Sequence, residues 1–375
     1  MNEKLRALFP ITEHVVYLNH AAVSPPPRTT IDAIQSQLND VAAKGSLNFR
    51  SWVAVKEESR KLVASMIGAR PEQVAFMRNT SDGLSCVANG LKWNEGDNIV
   101  TFRGEFPSNV YPWLRIRNTR NVELRMCEER DGRVDPDLFT SLINKRTRIV
   151  ALSHVQYASG FRSDLERIGR AARNCGALFV VDAIQAMGVL PINVEAELVD
   201  VLAGAGHKWL LAPEGVGILY LSDRARELVE PTLVGWVSVP HPEDYNNFNQ
   251  GWNQGALAWE TGTGPAALLY GLEASLRLLL ETGIPSIAAY LEQVTDYLCE
   301  RLESHGDYRV ASSRREGEKS QIVCIQHKFG LSPLTLYKHL KERGIVTAPR
   351  GERLRISPHF YNSSAEIDDL IRALP

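Results

Sequence analysis

Short apolar runs recur through the first two thirds of the chain, and segments with apolar positions at helical spacing lie between them. Val15–Leu18, Gln73–Met77, Asn98–Phe102, Val122–Met126, Arg148–Ser153, Ala177–Val181, Val199–Ala203 and Gly215–Leu221 read as strands. Thr29 or Thr30 is placed to cap a helix running to about Lys44, and a second runs from about Trp52 to Ile67 with Gly68 as its stop. Further helices are expected from Thr80 through Leu91, after Asn109 to about Asn118, from Asp135 to Leu142, and from a Ser163/Glu166 capping box to about Cys175. Strands that are apolar throughout and alternate with helices imply an α/β fold of three layers, αβα, around a mostly parallel sheet. Ligands in such folds bind beyond the carboxyl ends of the strands.

After Pro231 the alternation breaks into a loop carrying Trp236, Trp252 and Trp259. A long helix, Ala266–Glu281, is expected to link to a second unit. That unit takes a helix from Ile287 to about Ser304, strands at Tyr308–Ala311, Gln321–Gln326 and Arg353–Ser357, a helix at Pro333–Arg343 and a closing amphipathic helix after Ser363. The expected division is an N-terminal segment, 1–20, near the small domain, a large domain, 21–260, and a smaller C-terminal α+β domain, 261–375.

The strand ends carry the chemistry. Lys208 follows the Val199–Ala203 strand within Gly204-Ala205-Gly206-His207-Lys208-Trp209. A lysine among small residues at a sheet edge is partly desolvated, so its amine is more often neutral and able to attack a carbonyl, the first step of Schiff-base formation. Asp182 ends the preceding apolar run, where an ionised carboxylate requires a cation or hydrogen-bond donors. Asn79, Thr80 and Ser81 open a helix directly after a strand, an arrangement that serves an anion site and a plain helix cap equally well. Phe106 and Tyr157 leave two further strands, Phe106 suited either to cover a flat ring or to pack in the core. Five candidates at one sheet edge, Thr80, Phe106, Tyr157, Asp182 and Lys208, weigh more than any one of them.

Composition narrows the class. The 375 residues are 44% hydrophobic and 23% charged, with a net charge of -2, which gives no electrostatic reason to expect nucleic acid or an anionic membrane as partner. The five cysteines form no C-x-x-C pair or metal-like cluster and read as buried thiols of a reduced compartment. No metal site is expected. Charges at Glu3, Lys4 and Arg6 and the lack of a long apolar run argue against a signal peptide or membrane span, so a cytoplasmic protein is expected. The absence of a G-x-G-x-x-G turn disfavours a nicotinamide dehydrogenase.

Taken together, Val181-Asp182-Ala183-Ile184-Gln185, Gly206-His207-Lys208-Trp209 with Gly215-Val216-Gly217, Glu260-Thr261-Gly262-Thr263, and Arg355-Ile356-Ser357 with Phe360-Tyr361-Asn362 resemble the class V aminotransferases. These are fold-type-I pyridoxal-phosphate enzymes that include cysteine desulfurases, isopenicillin-epimerase-like proteins and kynureninase. The resemblance implies that Lys208 carries pyridoxal 5'-phosphate as a Schiff base (internal aldimine) and that Asp182 keeps the pyridine nitrogen protonated. It further implies that Gln185 contacts the ring hydroxyl, that Thr80, the Ser81 backbone and His207 hold the phosphate with Asn79 in the same turn, and that Phe106 stacks on the ring. Tyr157 stands where desulfurases place an asparagine near the ring hydroxyl. Arg355 is implied to bind the substrate carboxylate, with Asn19 and His20 at the substrate pocket, although His20 and Trp52 suit plain packing as well. Thr263 is implied to reach the neighbouring subunit's phosphate, hence a homodimer with shared sites.

The implied activity is that of an aminotransferase acting on a small amino acid. A C–S lyase or desulfurase-like enzyme and an amino-acid epimerase are alternatives within the same chemistry. A non-catalytic cofactor-binding regulator is the alternative from another class, and the full set Lys208, Asp182 and Arg355 argues against it. Two departures separate the chain from desulfurases: Phe106 replaces a stacking histidine, and the interval Thr347–Glu352 holds no cysteine, so a persulfide on the enzyme is not expected.

Overall fold

The computed structural model describes residues 3–375. In chain order the strands are β1 (Val16–Tyr17), β2 (Val74–Met77), β3 (Asn98–Phe102), β4 (Glu123–Cys127), β5 (Thr147–Ser153), β6 (Leu178–Asp182), β7 (Val201–Ala205) and β8 (Gly217–Leu221). They are followed by β9 (Tyr308–Val310), β10 (Val323–His327), β11 (Ile345–Val346), β12 (Ala348–Arg350) and β13 (Arg353–Ile356). Seven of them form the central sheet in the order β2-β8-β7-β6-β5-β3-β4. Every neighbouring pair that excludes β8 is parallel, while β8 runs antiparallel to both β2 and β7.

Successive residues of each central strand point to opposite faces and both faces are covered, which is why the strands read as continuous apolar runs. Ile149, Ala151, Leu178 and Val180 pack with Leu84, Val87 and Trp113 on one side. Val150, Leu152, Phe179 and Val181 pack with Val63, Ile67, Ile168 and Leu272 on the other. The expected three layers are present.

The helix Ala266–Thr282, expected as a linker, packs along the helices Arg28–Lys44 and Phe49–Ile67. Its Leu269, Leu272, Leu276 and Leu279 belong to the core of the large unit, so we place the boundary between units near Gly283. Beyond it, β12-β13-β10-β9 form an antiparallel sheet, and the helices Ile284–His305, Pro333–Lys341 and Ser364–Ala373 enclose a separate core of Val294, Leu298, Leu336, Leu354 and Leu370. The N-terminal segment joins this unit: β1 pairs with β11, and Asn19 bridges to Ser357.

Two caps differ from expectation. The first long helix begins at Arg28 behind Pro27, which supplies the fixed φ a helix start needs, and Thr30 lies buried inside it, 2.6 Å from the Ser275 hydroxyl. The helix Leu165–Asn174 is capped by Asp164, whose carboxylate accepts the Arg167 N–H, while the Ser163 hydroxyl donates to Ser153 O. Gly68 does stop its helix, in the left-handed conformation at φ 69°.

Candidate active site

The carboxyl ends of the parallel strands open into a cavity of about 320 Å³. Asn79, Thr80, Ser81, Phe106, Tyr157, Asp182, His207, Lys208 and Arg355 line it, together with Ala21, Ala22, Val23, Ser108, Ile184 and Arg350. All five sheet-edge candidates therefore meet at one place. The sheet explains this: Ser153 pairs with Asp182 and Asp182 with Ala203, so β5 and β6 end level and β7 runs two residues further at the same edge.

Lys208 is presented by a tight return of the chain. The Leu211 N–H donates to Lys208 O and the Ala212 N–H to Gly206 O, each at 3.0 Å. Leu211 is held at φ 57°, a left-handed conformation that costs a leucine about 1–2 kcal/mol. Such cost persists where surrounding packing fixes the backbone, and Leu211 is fully buried. The Lys208 amine is 5.4 Å from the centre of the Phe106 ring. Burial pulls that amine down to about 8, opposed by the charge of Asp182.

Asp182 is buried, and among the described residues its side chain accepts one hydrogen bond, from the Ile184 N–H at 3.0 Å. Burial pushes its carboxyl up to about 6. Glu105, also buried, accepts from Ser153 N at 2.8 Å, Gln156 Nε2 at 2.6 Å, Asn109 Nδ2 at 2.9 Å and the Ser153 hydroxyl. Burial raises it to about 7 despite those donors. The network ties the segment bearing Phe106 to the end of β5 and the turn bearing Tyr157. Phe106 is 40% exposed at the cavity mouth, and its ring meets that of Tyr157 edge to face at 5.1 Å.

The helix Thr80–Gly90 aims its amino end at the cavity. Asn79 caps it by accepting the Asp82 N–H at 3.0 Å, which leaves the first-turn amides of Thr80 and Ser81 without intrahelical partners. The Thr80 hydroxyl is buried and lacks a hydrogen-bond partner, and the Ser81 hydroxyl is paired with that of Ser108. Gly217 of β8 permits this placement, because a Cβ there would lie 2.6 Å from Asn79 N.

Arg355 projects from β13 and is 1% exposed. It donates to Tyr157 O at 2.9 Å and to Asn19 Oδ1 at 3.3 Å, while its Nε has no partner. Asn19 thus orients the guanidinium and does not line the cavity.

Two expected contacts, those of His20 and Gln185, are placed differently. His20 is wholly buried behind the cavity wall, bonded to Ser357 O at 2.8 Å and the Tyr361 hydroxyl at 2.7 Å, and burial lowers it to about 3. Such an imidazole packs, and it does not line the cavity. Gln185 has its amide engaged at both ends, donating to Ala21 O at 3.0 Å and accepting from Trp209 Nε1 at 2.6 Å, so it braces the turn at Lys208 from behind. Thr263, implied to serve the neighbouring subunit, lines a second hollow of its own chain with Lys56, Arg78 and Gly262. Trp52 donates to Asp40, away from the cavity.

Arg350 and Glu105 belong to the site with little mark in the sequence. Pro349 marks 348–350 as loop, yet β12 is an edge strand, where proline is tolerated. Glu105 had one signal, an acid between a buried strand and Phe106-Pro107.

A family model described as aminotransferase class V matches residues 16–370. The chain belongs to that family. Among its relatives, probable cysteine desulfurases of Pyrococcus abyssi and Methanothermobacter thermautotrophicus are 32% and 30% identical, covering 99% and 97% of this chain and 96% and 95% of theirs. Isopenicillin N epimerase of Streptomyces clavuligerus is 28% identical over 99% of this chain and 97% of its own. A cysteine desulfurase of Thermococcus onnurineus, solved in its apo form, superposes with a TM-score of 0.89 at 28% identity, covering 99% of this chain and 97% of that one. As a class V aminotransferase the protein is a pyridoxal-phosphate-dependent enzyme. The cavity fits that group: an unpartnered buried hydroxyl and free helix amides suit a phosphate, and a buried carboxylate short of donors suits a protonated ring nitrogen.

Proposed function

We propose that the protein is an aminotransferase-type enzyme that acts on a small amino acid. One observation carries the reading: a desolvated lysine and a buried carboxylate from adjacent strands face the same cavity as a buried guanidinium that lacks a carboxylate partner. When bound, pyridoxal phosphate supplies an electron sink for the pair left on Cα after proton loss.

The chain's own groups do the rest. Lys208 would hold the cofactor through Nζ, and its amine, when free, would take the Cα proton. Asp182, buried and facing the cavity, would keep a proton on the ring nitrogen by its charge. Thr80 and the amides opening the helix Thr80–Gly90 would receive the phosphate, with His207 beside them in the cavity lining. Phe106 and Tyr157 would wall the ring, and Arg355 would grip the α-carboxylate with two N–H groups, the geometry for which a planar guanidinium is suited. Where Lys208 returns its proton decides the product.

The second reading is a C–S lyase, favoured by relatives whose names say desulfurase. It would run as an elimination without an enzyme thiol. None of the five free cysteines lines the cavity, and the thiol of Cys324 is fully buried and pushed up to about 11. A homodimer that shares its sites through Thr263 belongs to the same reading. Exposed Trp236, beside Gly262, and Tyr245, whose ring meets that of Trp236, support it, since aromatic side chains are enriched in interfaces.

Absorbance tests the core of the reading. The purified protein with cofactor should carry a band near the visible edge that is absent from Lys208→Ala. A wild type that stays colourless with added cofactor overturns it. Single amino acids, assayed for keto acid, sulfide and inverted enantiomer, then separate the reactions.

A further inference from the structure

The cavity holds more positive charge than an ordinary amino acid needs. In the β12-β13 ladder Ala348 pairs with Arg355 and Arg350 with Arg353, so Arg350, Arg353 and Arg355 share one face of the sheet. Glu129 neutralises Arg353. Arg355 and Arg350 have no carboxylate within ion-pairing distance among the described residues, and both line the cavity. The recorded partner of the Arg350 guanidinium is the carbonyl of neighbouring Pro349, at 2.7 Å.

The other anions are already assigned. The cofactor's phosphate belongs at the helix Thr80–Gly90, and Asp182 faces the ring nitrogen. Of the acids in the outer hollow that Arg350 also borders, Glu129 is committed to Arg353, and Glu352 is exposed on the turn between the strands. An α-carboxylate satisfies Arg355 and leaves Arg350 unanswered. A buried or half-buried guanidinium without an anion is unfavourable, and an anionic group delivered by the substrate removes that cost. The field of Arg350 also reaches Arg355, where, after burial, it helps pull the guanidinium down to about 10.

We propose that Arg350 selects substrates bearing a second anion on the side chain, one or two carbons beyond Cα, as in the dicarboxylic amino acids and sulfinates. The proposal rests on the reading given under Proposed function and adds the substrate class. Selectivity of this kind is strong, because the analogue that lacks the charge leaves the guanidinium unpaired.

The test is an absorbance titration of the holoenzyme with L-aspartate, L-glutamate, L-cysteine sulfinate, L-asparagine and L-alanine, reading dissociation constants from the spectral change. Aspartate, glutamate or cysteine sulfinate should bind on the order of 30-fold or more tightly than asparagine and alanine in the wild type. In Arg350→Gln the ratio of acidic to neutral affinity should fall at least about tenfold, and Arg350→Lys should restore part of it. The wild-type comparison of aspartate with asparagine needs no variant and stands even if a substitution fails to fold. Equal affinities for acidic and neutral amino acids, or a substitution that weakens alanine and aspartate alike, overturns the role of Arg350. If no amino acid changes the spectrum, the reading under Proposed function falls instead. A preference between aspartate, glutamate and cysteine sulfinate identifies which anion is meant.

Discussion

Asp182 and Lys208 leave neighbouring parallel strands and face one cavity, yet among the described residues no hydrogen bond or ion pair joins them. Each is held in a state that water would not favour. Burial raises the acid and lowers the amine, and the residual attraction between them is the lesser effect at both. A pair kept apart in this way is available to a third party placed between them, which is what a ring with a cationic nitrogen at one end and a carbonyl at the other supplies.

The acid gives the first prediction. Its folded-state value, about 6, lies above the usual 3.8, so ionised Asp182 weakens the apoprotein once pH exceeds the unfolded value, and the penalty grows until pH passes about 6. Asp182→Asn keeps an acceptor for Ile184 and removes the charge. The apo variant should be more stable than apo wild type at pH 7.5 by roughly 2–3 kcal/mol, a difference that vanishes below about pH 4. The same change should lower turnover by about 10²–10³-fold, because a fixed charge at the reacting system is lost. Thermal melts at two pH values and turnover of the loaded variant check both halves. A variant less stable at pH 7.5 would show that the acid is satisfied in the free protein.

The amine gives the second. Only neutral Lys208 attacks a carbonyl, and with its value near 8 the neutral fraction rises about tenfold for each pH unit below that point. The rate at which apoprotein captures pyridoxal phosphate, followed by stopped-flow absorbance, should climb from pH 6 and level off near pH 8. An ordinary exposed lysine would still be climbing at pH 10. Lys208→Arg, charged throughout, should show no covalent capture at any pH.

The parts visible in the sequence were those written in a single element. Apolar runs marked the central strands, and the residues that follow them marked the cavity, because neighbouring parallel strands bring their carboxyl-end exits to one edge of the sheet whatever the tertiary details. Contacts made across elements left little trace. Gln185 and His20 sit in the right stretches of chain, but their orientation is set by Trp209, Ser357 and Tyr361, and both turn to the packed side of the wall. Arg350 was hidden by Pro349, since a proline suggests loop unless the strand is known to lie at a sheet edge.

Glu105 supplies the third prediction. Both of its carboxylate oxygens accept hydrogen bonds, from Ser153, Gln156 and Asn109, and Asn109 in turn accepts from Trp113. Glu105→Gln turns an amide NH₂ toward one of these donors, leaving at least one buried group unsatisfied at a cost of about 1–3 kcal/mol. The melting temperature should fall by several degrees, and because the network holds the Phe106 and Tyr157 turns in place, amino-acid affinity should weaken with it. Glu105→Asp, which keeps the charge but is one methylene shorter, should recover less stability than a conservative change at an exposed acid would. A Glu105→Gln variant with unchanged melting and unchanged affinity would mean the carboxyl is already protonated and replaceable.

The two guanidiniums of the cavity are expected to fail differently, and Arg355 decides how the site is organised. It is buried, donates to Tyr157 O and Asn19 Oδ1, and has its Nε free. Burial pulls it down only to about 10, so it stays cationic at neutral pH. Arg355→Lys keeps the charge but replaces a planar fork with a single strongly hydrated ammonium that reaches less far. Every amino acid offers the same α-carboxylate, so the substitution should weaken alanine, asparagine and aspartate by a common factor of about 10²–10³ in kcat/KM, while the absorbance of the unliganded holoenzyme is unchanged. Substitution at Arg350, by contrast, should change the ratio between acidic and neutral substrates. Kinetics of both variants on the same panel separate the two roles. A common loss at Arg350 with an altered ratio at Arg355 would exchange their assignments, and an Arg355→Lys enzyme with wild-type KM would show that the α-carboxylate is bound elsewhere in the cavity.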